Sequence, residues 1–249
     1  MSQNQTSNES FNPATFDDYP VLYDEALSWP YRKELELPTL KKLLGDLSGL
    51  NVLDFGCGPG VITRWLHAQG AKTVIGYDIS EGMLAYARQC EDKTQLGIRY
   101  LSHLDEEHNS YFDIILAVYV MPYVMHEHDL LSMCQDMFKM LKPGGKLITL
   151  PLHPDFNADP DYYSPFGFQL IENDPRSDGG KLQLKLRMPP HSIDLEAYYW
   201  SKPTLERTLT QAGFQQVSWQ SLDAPENLTP ELRPYLNCPH VAIIEALKK

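Results

Sequence analysis

Two carboxylates and three closely spaced glycines are the residues of this chain best suited to chemistry. The segment Val52-Leu53-Asp54-Phe55-Gly56-Cys57-Gly58-Pro59-Gly60 carries an acid in an apolar run, just before a Gly-x-Gly-x-Gly turn. Such a turn lets backbone N–H groups approach a ligand without interference from Cβ atoms. The helix expected after it offers its N-terminus to an anionic group such as a carboxylate. Asp54 argues against a dinucleotide, because a carboxylate there would repel a pyrophosphate; it suits a ligand that carries an ammonium group. A second acid, Asp78, lies eighteen residues beyond Gly60. At the end of the second strand of a doubly wound fold, an acid grips both ribose hydroxyls of an adenosine ligand.

The elements that must position these residues are legible around them. Asn51 to Phe55 is a short apolar strand, and the helix after the turn sets Val61, Ile62, Trp65 and Leu66 on one face and stops at Gly70. Thr73 to Tyr77 is a second strand, and Ser80 caps a helix that groups Met83, Leu84 and Ala87. Ile98 to Leu101 is a weaker third strand. Phe112 to Val120 is almost continuously apolar, as a central parallel strand buried on both faces should be. A helix through Leu130, Cys134, Met137 and Leu141 ends at Lys142-Pro143-Gly144-Gly145, and Lys146 to Leu150 is a fifth strand. Upstream, Pro38 opens a helix bearing Leu40, Leu43, Leu44 and Leu47. This alternation predicts a doubly wound, mostly parallel sheet.

After Pro151 the pattern changes. Lys181 to Met188 alternates Leu182, Leu184, Leu186 and Met188 with polar residues, the mark of an antiparallel strand with one wet face. Phe166 to Glu172 and Ile193 to Trp200 read as its neighbours, so residues 155–200 form an antiparallel insertion. It is expected to cover the acceptor side of the cleft or, as a second choice, to make a dimer contact. A helix from about Pro203 to Ala212 and strands at Gln215 to Leu222 and His240 to Leu247 complete the chain. Residues 1–15 read as a disordered tail and 16–249 as one domain.

Composition removes several classes of function. The formal net charge of −12, with scattered basic residues, argues against nucleic acid. No apolar run reaches the roughly 18 residues of a membrane-spanning helix. The polar Met1 to Ser10 has no basic region followed by an apolar core, so the cytoplasm is the expected location. Cys57, Cys90, Cys134 and Cys238 lie too far apart for a zinc knuckle or a disulfide framework. His103, His108, His126 and His128 lack the partners a metal site needs, and no metal is expected.

With Leu141-Lys142-Pro143-Gly144-Gly145 in the right order behind them, Asp54, the glycine turn and Asp78 resemble the class I S-adenosylmethionine (SAM) dependent methyltransferases over roughly residues 36–150. The resemblance implies SAM as cofactor and a Rossmann-like, mostly parallel seven-stranded sheet carrying the antiparallel insertion as a lid. It implies that Gly56, Cys57, Gly58 and Gly60 hold the methionine moiety, that Asp78 binds ribose and that Ile79 packs on adenine, with Met83 nearby. The family's acid for the adenine amino group falls on Leu104 at the simplest alignment and on Asp105 one place later; Asp105, Ser102 and the backbone stay open as alternatives. Within the family, the aromatic N-terminal segment and Tyr199-Trp200-Ser201-Lys202-Pro203 resemble the toxoflavin-type group of bacterial small-molecule N-methyltransferases. That implies a small, heteroaromatic acceptor and a role in secondary metabolism.

Methyl transfer is an in-line displacement that gains much of its rate from positioning, on the order of 7–11 kcal/mol, so no catalytic dyad is required. The end of strand four faces the crevice and brings Val118 and Tyr119 near the sulfonium. Tyr23 and Tyr31 are candidates to fold over the cofactor, where an aromatic face attracts a cation. His153 is the best-placed base, and Tyr199 and Trp200 are candidate walls for the acceptor. Ordinary packing accounts for Tyr23, Tyr31 and Tyr119 equally well, and a hydrogen-bonded loop histidine for His153. A cyclase releasing methylthioadenosine shares this fold and is the alternative reading; a noncatalytic SAM-binding protein is a third. The protein is expected to be a monomer or homodimer.

Overall fold

A computed structural model describes residues 13–189 and 191–249. Seven strands form the main sheet: β1 (Asn51–Phe55), β2 (Thr73–Tyr77), β3 (Arg99–Leu101), β4 (Phe112–Val118), β5 (Leu141–Leu150), β9 (Gln215–Gln220) and β10 (Ile243–Leu247), in the order β3-β2-β1-β4-β5-β10-β9. β1 to β5 pair in parallel, and β10 runs antiparallel to both neighbours. The order reverses beside β1, which opens the ligand crevice at the carboxyl ends of β1 and β4.

Alternation along the strands divides the core. Val52, Ile114 and Ile148 pack on α2 (Leu37–Leu44) and α3 (Val61–Ala68). Their neighbours Leu53, Ile115 and Leu147 face α5 (Glu127–Met140) and α6 (Lys202–Ala212). Below β2, α4 (Glu81–Thr94) begins at the Ser80 cap, whose hydroxyl accepts the Met83 N–H at 3.2 Å.

Between β5 and α6 stands a separate antiparallel sheet of β6 (Phe168–Glu172), β7 (Lys181–Met188) and β8 (His191–Tyr198). Its apolar face, including Phe168, Leu170, Leu186 and Leu195, packs on Leu22, Trp29, Tyr31 and Leu35 of the N-terminal segment and on Tyr235. That segment runs through a 3-10 turn (Pro13–Phe16), α1 (Pro20–Glu25) and a π-helical turn (Arg32–Glu36). Tyr235 belongs to α7 (Arg233–Asn237).

Several boundaries differ from those expected. Most of the expected tail, residues 1–12, lies outside the described residues, but Pro13 to Thr15 belong to the 3-10 turn. β4 stops at Val118 because Tyr119 takes a left-handed φ of 60° and Met121–Tyr123 winds into a 3-10 turn. β5 begins at Leu141, since the glycines at 144 and 145 make a register shift and do not end the pairing. The sequence reading missed α7 and the π-helical turn. Among the described residues no helix is long and apolar enough to cross a membrane.

Candidate active site

A cleft of about 520 Å3 opens where the carboxyl ends of β1, β2 and β4 meet. Its floor is the turn after β1, which is fastened to β2 by the N–H groups of Gly56 and Cys57, both donated to Tyr77 O, at 2.7 and 2.8 Å. Gly56 has φ 75°, and a Cβ there would collide with Val120, so only glycine allows this close passage. Gly58 also has positive φ, 53°, and a Cβ there would meet nothing closer than Met83 Sδ at 4.0 Å. Cys57 lines the cleft as well, and burial pushes its thiol well above the usual range.

Two acids anchor this floor. Asp54 is buried and accepts the Thr63 hydroxyl at 2.6 Å. Burial raises its pKa to about 7; the Thr63 bond opposes the shift, and the neighbouring Asp78 adds to it. Asp78 accepts the Gly58 N–H at 2.7 Å on one oxygen and the Ser80 N–H at 2.9 Å on the other. Burial raises its pKa, while these backbone bonds pull it back. Ile79 projects beside it, 48% exposed.

At the tip of β4 a buried polar cluster closes the cleft. The Tyr119 hydroxyl donates to Glu36 at 2.6 Å, and its ring lies under the Arg32 guanidinium, 4.7 Å from centroid to carbon. Glu36 also accepts the Tyr235 hydroxyl at 2.9 Å and Arg32 Nε at 3.3 Å. Burial alone would lower the Arg32 pKa, but Tyr119 and Glu36 outweigh it and hold the guanidinium firmly charged. His240 stacks on Tyr119 and hydrogen-bonds Tyr235 at 2.8 Å; burial drops its pKa to about 3, so it is neutral.

The N-terminal segment straps across the mouth. Asp17 accepts the Ser80 hydroxyl at 2.6 Å and the Gly82 N–H at 3.0 Å, and Asp24 pairs with Arg64. Phe16 and Tyr23 thereby line the cleft, with Tyr123 opposite.

The structure thus gathers Tyr23, Asp54, Gly56, Cys57, Gly58, Asp78, Ile79, Met83, Val118 and Tyr119 around one cleft. The other sequence candidates are elsewhere. Gly60 caps α3 in a left-handed conformation, and its bare side is filled by the Tyr100 ring. Tyr31 is stacked on Tyr235, with centroids 4.7 Å apart, inside the cluster under the antiparallel sheet. Ser102 stays off the cleft, Leu104 packs against the main core, and Asp105 caps the Glu106–His108 turn. His153 is occupied by its own turn, with Nδ1 accepting the Asp155 N–H at 3.0 Å, and burial lowers its pKa. Tyr199 packs beneath Arg176, and the Trp200 indole donates to Val124 O at 3.1 Å within the core. The sequence reading missed Arg32, Phe16, Tyr123 and, on the α5 side, His126 and Asp129, which line the cleft, and Glu36 behind them.

Comparison with known proteins bears on this geometry. A family model described as a methyltransferase domain matches residues 52–145. An N-demethylindolmycin N-methyltransferase from Streptomyces griseus is 26% identical over 186 residues, 70% of this chain and 73% of that enzyme. The demethylmenaquinone methyltransferase of Lactococcus lactis subsp. lactis is 30% identical over 196 residues, 72% of this chain and 71% of its own length. The chain belongs to the class I SAM-dependent methyltransferases. A SAM-dependent methyltransferase from Mesorhizobium loti, 23% identical, shares the fold with a TM-score of 0.60 over 85% of this chain and 96% of its own.

The cofactor of this methyltransferase is therefore SAM, and the cleft suits it chemically. A sulfonium amino acid joined to adenosine offers an ammonium, a carboxylate, two ribose hydroxyls and a flat base. The cleft offers four carboxylates, Asp54 and Asp78 beside the glycine turn and Asp129 and Asp136 on α5, with one guanidinium, a turn whose Gly56 leaves no room for a Cβ, and an exposed isoleucine.

Proposed function

We propose that this methyltransferase moves the methyl group of SAM to a nitrogen or oxygen of a small, uncharged organic acceptor. The observation that carries the reading is one cleft in which Asp54 and Asp78 flank the glycine turn and Phe16 packs edge-on against Tyr23 and Tyr123, with Tyr119 also in the wall. Asp78 holds the ribose hydroxyls, Ile79 supports the adenine face, and the Gly56–Gly58 backbone receives the methionine arm. Asp54 faces the ammonium. Arg32, whose remaining guanidinium nitrogens make no hydrogen bond to a described residue, faces the carboxylate. SAM supplies an electrophilic methyl on its sulfonium. The aromatic walls keep water from that end of the cleft and hold a flat acceptor in line, where positioning does most of the work. An amine or ring nitrogen then attacks with its own lone pair and needs no base. The S. griseus relative, named as an N-demethylindolmycin N-methyltransferase, supports a nitrogen target.

The test is to incubate the pure protein with SAM, alone and with a panel of indoles, phenols, quinols and aromatic amines, and to identify the nucleoside product by mass. S-adenosylhomocysteine (SAH) should form with an acceptor from the panel. Methylthioadenosine accumulating from SAM alone would assign the chain to the cyclases that share this fold.

Asp54 makes SAM binding depend on pH. With a pKa of about 7 it is half protonated near neutrality, and a bound ammonium favours its ionised form. Binding should therefore release about half a proton at pH 7 and tighten as pH rises through that region. Calorimetry in buffers of different ionisation enthalpy reads this directly, and Asp54→Asn should abolish it. Identical heats in every buffer would remove Asp54 from the ammonium.

A further inference from the structure

Behind the tip of β4 lies a second cavity of about 60 Å3, between the N-terminal helices and the inner face of the antiparallel sheet. Tyr23, Arg32, Tyr119 and Tyr123 line both spaces, so these four side chains are the partition between cleft and chamber. The far walls are apolar apart from His240: aliphatic at Leu170, Leu184 and Ala197, aromatic at Trp29, Tyr31 and Phe168. No carboxylate lines the chamber among the described residues, Arg32 is paired with Glu36, and His240 is neutral. In the partition, the Tyr23 hydroxyl is buried beside Tyr123 without a well-directed hydrogen bond. A buried hydroxyl left in that state calls for a partner.

We infer that the chamber receives a compact hydrocarbon group of the acceptor, while the acceptor's heteroatom stays in the cleft and bonds the Tyr23 hydroxyl. The inference rests on the methyl-transfer reading above and adds a substrate class to it: uncharged molecules with an aliphatic end of a few carbons. Size sets the limit. An apolar cavity of roughly 150 Å3 holds benzene, so a chamber less than half as large takes a methyl or isopropyl group and not a ring. Charge sets the second limit: with Arg32 shared between Glu36 and the carboxylate of the bound cofactor, a carboxylate entering these walls would lose its water and find no free cation.

The experiment compares phenol, p-cresol and 4-hydroxybenzoate, titrated calorimetrically into the SAH-saturated protein. Burying one extra methyl should make p-cresol bind about four-fold tighter than phenol. 4-Hydroxybenzoate should bind at least about ten-fold more weakly than p-cresol. Ala197→Leu fills the chamber and should erase the preference for p-cresol over phenol while leaving SAH affinity within about two-fold; Leu184→Phe is the second filling variant, should the first fail to fold. An equal affinity for phenol and p-cresol, a preference that survives both filling variants, or no binding of any phenol would overturn the inference. Failure of the wild-type protein to bind SAH would instead bring down the cofactor assignment on which it rests.

Discussion

Replacing Glu36 by alanine should destabilise the protein by about 3–5 kcal/mol, the range for removing one partner of a buried ion pair. Glu36 is 2% exposed and receives three hydrogen bonds, from Arg32, Tyr119 and Tyr235. Its removal leaves a buried guanidinium without a counter-charge and two buried hydroxyls without acceptors, each a further penalty. Nothing nearby can substitute, because His240 is neutral and already engaged with Tyr235. In a domain of this size the loss corresponds to a fall in Tm on the order of 10 °C. Glu36→Gln keeps an acceptor oxygen for the tyrosines and should cost distinctly less. Thermal and urea unfolding measure both variants. An alanine variant within about 0.5 kcal/mol of wild type would show that the cluster holds nothing together, as surface pairs commonly do not.

The same cluster marks where sequence reasoning stopped. Arg32-Lys33-Glu34-Leu35-Glu36 carries four charges in five residues, yet the π-helical turn rotates Arg32 and Glu36 inward together. Their partners come from positions more than eighty residues away, Tyr119 and Tyr235, and no local pattern joins them. The left-handed φ of Tyr119 is equally invisible, because nothing in Val118-Tyr119-Val120 requires it. By contrast, Asp54, the glycine turn and Asp78 were legible because their geometry is local. A strand, a tight turn and a helix N-terminus fix them within a few residues, and strand pairing fixes the rest.

The candidates that lie outside the cleft share one cause. His153, Ser102 and Asp105 follow strand ends, and Tyr199 and Trp200 close an expected strand, but a strand end does not set the direction in which the side chains there turn. Trp200 turned inward because its indole N–H found Val124 O, and His153 curled onto the Asp155 N–H. Period-two alternation, in turn, correctly marked the inner face of β7 but could not say what that face would meet. It meets the aromatic N-terminal segment, and the larger cleft lies beyond the partition.

Asp78→Ala should weaken SAH binding by about 10- to 100-fold, the equivalent of losing a charge-assisted hydrogen-bond site worth roughly 1.5–3 kcal/mol. Two contributions are superposed. The carboxylate is held in place by the Gly58 and Ser80 N–H groups, and its remaining lone pairs face the cleft, where the ribose hydroxyls would donate to them. It also ties the glycine turn to the start of α4, so its loss lets the floor under the methionine arm relax. Adenosine separates these two effects, since it carries the ribose and lacks the methionine arm. If ribose recognition dominates, Asp78→Ala should reduce adenosine and SAH affinity by the same factor. If the turn tie dominates, adenosine should be nearly spared. We expect the first outcome, because Gly56 and Cys57 still fasten the turn to Tyr77 O when Asp78 is gone. The fold should survive for the same reason, with unfolding shifted by no more than about 1–2 kcal/mol. Wild-type affinity for both ligands in the folded variant would remove Asp78 from the site altogether.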